Sequence, residues 1–115
     1  MKADGFYSEL LNKIRFRKDV TIKKYNINYN NGSYKFLRIS SKNINENSKI
    51  LLIRAGIHGE EVSGPISILR YINKIFDNAN DKNVSLVVYP LGNPSGFENN
   101  TRYNIDGDNG SAGNN

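Results

Sequence analysis

The chain has 115 residues and a formal net charge of +5, enough for one domain around a single modest core. It contains no cysteine, which excludes a disulfide framework, a thiolate metal site and a cysteine nucleophile. The opening MKADGFYSELLNKIRF lacks the apolar run of a signal peptide, and no stretch approaches the ~20 apolar residues of a membrane span. A cytoplasmic protein without a membrane partner is therefore expected. Lysine and arginine are scattered, with one mild concentration at KIRFRKDVTIKK, residues 13 to 24. That segment lacks the aromatic interleaving of a nucleic-acid module, so the positive balance reads as a solvated face and no nucleic-acid partner is expected.

In chain order, residues 6 to 16 place Phe6, Leu10, Ile14 and, less strictly, Leu11 on one side at helical spacing, which predicts a short amphipathic helix. Residues 20 to 29 alternate Val20 and Ile22, then Tyr25, Ile27 and Tyr29 after a one-residue slip at Lys23-Lys24, which predicts a strand carrying a bulge. Asn31-Gly32 is a hairpin turn signal, and YKFLRIS, residues 34 to 40, is the expected return strand. A polar loop follows over residues 41 to 49. KILLIRAGI, residues 49 to 57, is an almost continuous apolar run, the pattern of a strand covered on both faces. Val62, Ile66, Leu69, Ile72, Ile75 and Phe76 then recur at three- and four-residue spacing, with Pro65 near the helix start and an end near DNAND. A second buried strand is expected over Val84 to Tyr89, followed by a loop punctuated by Pro and Gly. Strand, helix and strand make a βαβ unit, so the predicted class is α/β with a mixed β-sheet. Beyond Gly96 the sequence shows no period, and no terminal strand or helix is expected there.

Ligands of open α/β sheets gather at the carboxyl ends of strands, and both the GIHGEE and PLGNPSG segments fall at such ends. His58, the only histidine, and Glu61 are three residues apart, with His58 in the loop and Glu61 expected in the first helical turn. An imidazole nitrogen and a carboxylate so placed can converge on one cation, and zinc accepts that mixture. The spacing alone is common, and a surface loop histidine fits it equally well. Gly56 and Gly59 permit a tight backbone, and Glu60 is expected to face solvent as a carboxylate favoured at a helix N-terminus.

AGIHGEEVSGP followed by YPLGNPSGFENNTRYN resembles the zinc carboxypeptidase (peptidase M14-like) superfamily, including its murein-peptide amidase branch and the succinylglutamate desuccinylase and aspartoacylase group. The resemblance covers roughly residues 49 to 106. It implies a sheet of the zinc carboxypeptidase type, incomplete at the C-terminus, with 1–48 as helix and hairpin and 49–115 as the metal-site βαβ region. It also implies a Zn2+ cofactor held by His58 and Glu61, with Arg102 stabilising the oxyanion as an amide bond breaks. Asn93, Pro94 and Gly96 match the family's structural loop. The family's D-x-N-R segment is replaced by DGDNGSAGNN: Asp106 or Asp108 is the candidate to orient the histidine, Asn109 the candidate for the asparagine role, and no arginine follows Arg102. The third zinc ligand, a histidine, and the general-base glutamate lie further along in the family than this chain reaches. The implied protein is the N-terminal part of a metallocarboxypeptidase or peptide amidase, inactive as these residues alone. An N-acyl amino acid deacylase, or a binding module that keeps only the scaffold, is the alternative.

Overall fold

The computed structural model describes residues 1–30 and 32–107. The elements run α1 (Ala3–Lys13), β1 (Val20–Tyr29), β2 (Gly32–Ser41), β3 (Ile50–Arg54), α2 (Ser63–Asp81), β4 (Ser85–Tyr89) and α3 (Pro94–Asn99). The strands form one mixed sheet in the order β1-β2-β4-β3. β1 with β2 and β2 with β4 are antiparallel, while β3 and β4, joined through α2, are parallel. The expected βαβ unit is thus present, and the class is α/β. No described helix is long and apolar enough to cross a membrane.

The core follows from two periodicities meeting. Leu37 and Ile39 of β2 and Leu86 and Val88 of β4 alternate onto one face of the sheet. Phe6, Leu10 and Ile14 reach that core from the first helix and its end, and Ile68, Leu69, Ile72 and Phe76 from α2 at helical spacing. Phe97 of α3 closes the cluster edge-on against Phe6, with ring centroids 5.3 Å apart. Each fully buried side chain of this size contributes about 1.5–3 kcal/mol of transfer free energy. The alternate positions Phe36 and Tyr89 stack at 5.6 Å on the other side of the sheet and are only half-buried.

Four expectations are corrected. The β1–β2 ladder is unbroken, pairing Lys23 with Arg38 and Lys24 with Leu37, so β1 carries no bulge. As an outer strand it tolerates apolar residues on both faces, and Ile22 and Tyr25 are 37% and 42% exposed. The hairpin turns one residue earlier than its Asn-Gly signal, because Tyr29 already pairs with Gly32, whose φ of 154° suits glycine. Asn31 of that signal lies outside the described residues. β3 is not covered on both faces: it pairs only with β4 among the described residues, and Ile50, Leu51 and Leu52 are 52%, 52% and 57% exposed. That is the apolar edge an incomplete sheet implies. Finally, α3 forms in the stretch after Pro94 that shows no period. Its signal was the Asn93-Pro94 pair, a side-chain cap followed by proline at the first helical position.

Part of the basic segment has a structural task. Arg17 donates to both Asp19 oxygens, at 3.0 and 2.8 Å, and to Asp77 of α2 at 2.8 Å. Asn80 adds a hydrogen bond to Asp19 at 2.9 Å, so the approach to β1 is clamped onto α2. The Arg17 hydrogen bond, opposed by partial burial and aided by Asn80, holds the Asp19 carboxyl at about 2 against an ordinary 3.8. A carboxyl depressed on folding stabilises the fold above its unfolded value and loses that contribution as pH falls through the folded one. Urea midpoints of the parent should therefore fall more steeply than those of Asp19→Asn as pH drops from 3.8 to about 2. Parallel pH profiles would exclude the clamp as their source.

Candidate metal centre

The two parallel strand ends are knitted before the motif begins. Ala55 donates to the Tyr89 carbonyl at 3.1 Å, and Gly92 donates to the Ala55 carbonyl at 2.7 Å. Gly56 then takes φ +68°, turning the chain where a Cβ would press on Pro65 and Leu91 at 3.0 and 3.2 Å. Gly59 lies flat against Gly96 of α3: a Cβ on Gly59 would sit 2.0 Å from the Gly96 carbonyl carbon. The Glu61 amide closes a turn on the His58 carbonyl at 3.1 Å. Glu61 is therefore in a turn ahead of α2, not in its first turn as the spacing suggested, because the helix begins only at Ser63.

That turn brings the side chains together. His58 Nδ1 is 3.2 Å from Glu61 Oε2, and the two side chains are 24% and 62% exposed, so the pair is supported yet open to solvent. Two ligands each ~2.0–2.1 Å from a tetrahedral zinc lie about 3.3–3.4 Å apart, so the separation and the nitrogen-oxygen donor set both suit such an ion. No group of three or more His, Cys, Asp or Glu that could hold a metal occurs among the described residues. The pair could contribute two donors to a cation site.

Arg102 is far from this pair in sequence and beside it in space. Its carbonyl accepts from the Gly59 amide at 3.2 Å and from Asn93 Nδ2 at 3.3 Å, which ties it to both strand-end loops. Asn93 is fully buried and also caps α3, its Oδ1 accepting from the Gly96 amide at 2.9 Å and from the Ser95 hydroxyl at 3.3 Å. Asn93, Pro94 and Gly96 therefore form structural support, as their sequence suggested. The Arg102 guanidinium reaches Glu60 Oε1 at 3.4 Å and Glu61 Oε1 at 3.8 Å. Glu60 does face solvent, as expected, but it lies ahead of the helix and not at its terminus, and it is the nearest carboxylate to Arg102, a pairing invisible at a separation of 42 residues. An open cleft of about 790 Å³ runs from Glu60 and Arg102 along Asn99 to Ile105. Asp106 Oδ2 accepts the Asn30 amide at 2.7 Å, at the tip of the β1–β2 hairpin, while Asp108 and Asn109 lie outside the described residues.

The mixed four-stranded α/β sheet is that of the M14-like, carboxypeptidase-type metallopeptidase fold. More narrowly, the succinylglutamate desuccinylase/aspartoacylase catalytic domain profile matches residues 47–109, and the chain belongs to that family. A provisionally assigned metallopeptidase from Shewanella denitrificans OS217 superposes with a TM-score of 0.72 at 30% identity, over 92% of this chain and 38% of that one. A second, from Shewanella baltica OS155, gives 0.69 at 32% identity over the same shares of 92% and 38%. An aspartoacylase family protein from Mesorhizobium loti shares the fold, with a TM-score of 0.60 at 22% identity over 83% of this chain and 33% of that one. The chain thus spans about two-fifths or less of the length of these structures. No curated protein matches it.

The glycine contact gives a direct test. A methyl group on Gly59 meets Gly96 backbone, whereas one on Gly5 of α1 meets nothing within 4 Å. Gly59→Ala should cost roughly 1–3 kcal/mol of stability in urea unfolding, and Gly5→Ala should be neutral or slightly stabilising. Equal midpoints for both variants would contradict the packing described.

Proposed function

We propose that these residues belong to a zinc-dependent hydrolase that cleaves an amide bond, with His58 and Glu61 as two of the metal ligands and Arg102 as the oxyanion-stabilising cation. The observation that carries this reading is the convergence of an imidazole, a carboxylate and a guanidinium at two adjacent parallel strand ends, Glu61 lying 3.2 Å from His58 and 3.8 Å from Arg102. When bound, the zinc supplies an activated water and Lewis-acid polarisation of the scissile carbonyl. His58 and Glu61 would hold the ion through an imidazole nitrogen and a carboxylate oxygen. The family resemblance implies a third ligand and a base glutamate besides this pair.

Arg102 presents a permanent positive charge on a backbone pinned at its carbonyl, so little reorganisation is needed when negative charge develops on the substrate oxygen. The cleft from Glu60 to Ile105 would receive the acyl or amine side of the substrate. Peptide is the favoured substrate, because the relatives near 30% identity are assigned, provisionally, as metallopeptidases. The family profile supports a second reading, hydrolysis of an N-acyl amino acid. Comparing turnover of a peptide with that of an N-acyl amino acid by the longer protein separates the two.

Calorimetric titration of the chain with zinc should show an affinity that falls at least tenfold in both His58→Ala and Glu61→Gln. Unchanged binding in both would exclude this turn as the metal site. In the longer enzyme, Arg102→Ala should lower kcat by about 10²–10³ with the fold retained. Equal turnover would remove the oxyanion role.

A further inference from the structure

Glu61 is contested. One carboxylate oxygen lies 3.2 Å from His58 and the other 3.8 Å from the Arg102 guanidinium, so a cation arriving at the pair must share Glu61 with a permanent positive charge that also repels it. Arg102 has a nearer alternative in Glu60, at 3.4 Å. Its backbone is fixed by the Gly59 and Asn93 hydrogen bonds, so its remaining freedom is the swing of a half-exposed side chain between two neighbouring carboxylates.

We infer that Glu60 is a positioning residue that holds the Arg102 side chain off Glu61 and so keeps that carboxylate available to a divalent cation. The inference rests on the reading of His58 and Glu61 as ligands. Neutralising Glu60 leaves Glu61 as the nearest described carboxylate to Arg102, which also lies over the Tyr103 ring, and the arginine then competes with the ion for the same oxygens. Glu60 is itself 44% exposed, and glutamine matches glutamate closely in size, so Glu60→Gln removes chiefly the charge. A carboxylate that simply attracted the ion at a distance would act whether or not Arg102 were present, and that difference separates the two mechanisms.

The experiment is a double-mutant cycle on the 115-residue chain, with zinc affinity measured by calorimetry at fixed ionic strength for the parent, Glu60→Gln, Arg102→Ala and the double variant. Glu60→Gln should weaken zinc binding about two- to fivefold, the range open to an exposed ion pair. In the Arg102→Ala background the same change should have little or no effect. A loss of equal size in both backgrounds overturns the inference, as does no loss in the parent. His58→Ala is the separate control: zinc uptake that is absent from the parent, or that survives this substitution, overturns the metal-site reading itself.

Discussion

Everything at the candidate centre depends on one backbone oxygen. The Arg102 carbonyl accepts a hydrogen bond from the loop that carries His58 and another from the side chain that caps α3. Those two loops belong to adjacent parallel strands, and they approach so closely that Gly59 and Gly96 meet without room for a Cβ. A carbonyl with two donors is hard to displace, because moving it leaves those donors unpaired. Register between β3 and β4 is thereby passed on to the relative position of imidazole, carboxylate and guanidinium.

The chain uses the same chemical pairing twice, with opposite emphasis. Arg17 sits between Asp19 and Asp77 at 2.8 Å from each, and only 15% of its side chain is exposed. Arg102 sits between Glu60 and Glu61 at 3.4 and 3.8 Å, with 46% exposed. The first arrangement is short, with its guanidinium largely covered, and it fastens the approach to β1 onto α2. The second is longer and open to water, which suits a cation whose partners change during a reaction.

Much of this was legible in the sequence, for identifiable reasons. The helical spacing from Ile66 to Phe76 and the apolar runs before and after it announce a βαβ unit, because burial imposes those periods on any sequence that forms one. The His58–Glu61 turn was visible through its spacing and its glycines. Less visible was anything decided by neighbours remote in the chain. The apolar run of β3 gives no sign that it lies at a sheet edge, since the same residues suit either position. The slip at Lys23-Lys24 looked like a bulge because alternation presumes one buried face, which an outer strand need not have. Glu60 next to Glu61 read as one more solvated acid until Arg102 folded back across 42 residues to meet it.

The way Arg102 is held carries a further consequence. Its place in the structure is secured through main-chain atoms, which every amino acid possesses, while its guanidinium is half exposed beside Glu60, Glu61 and the Tyr103 ring. Identity and location are therefore separable at this position. A substitution there exchanges the side chain without removing the main-chain hydrogen bonds that place it. Its glycine partners have no such latitude: a Cβ on Gly59 would meet Gly96 backbone and one on Gly96 would meet Asn93, so geometry reserves both positions.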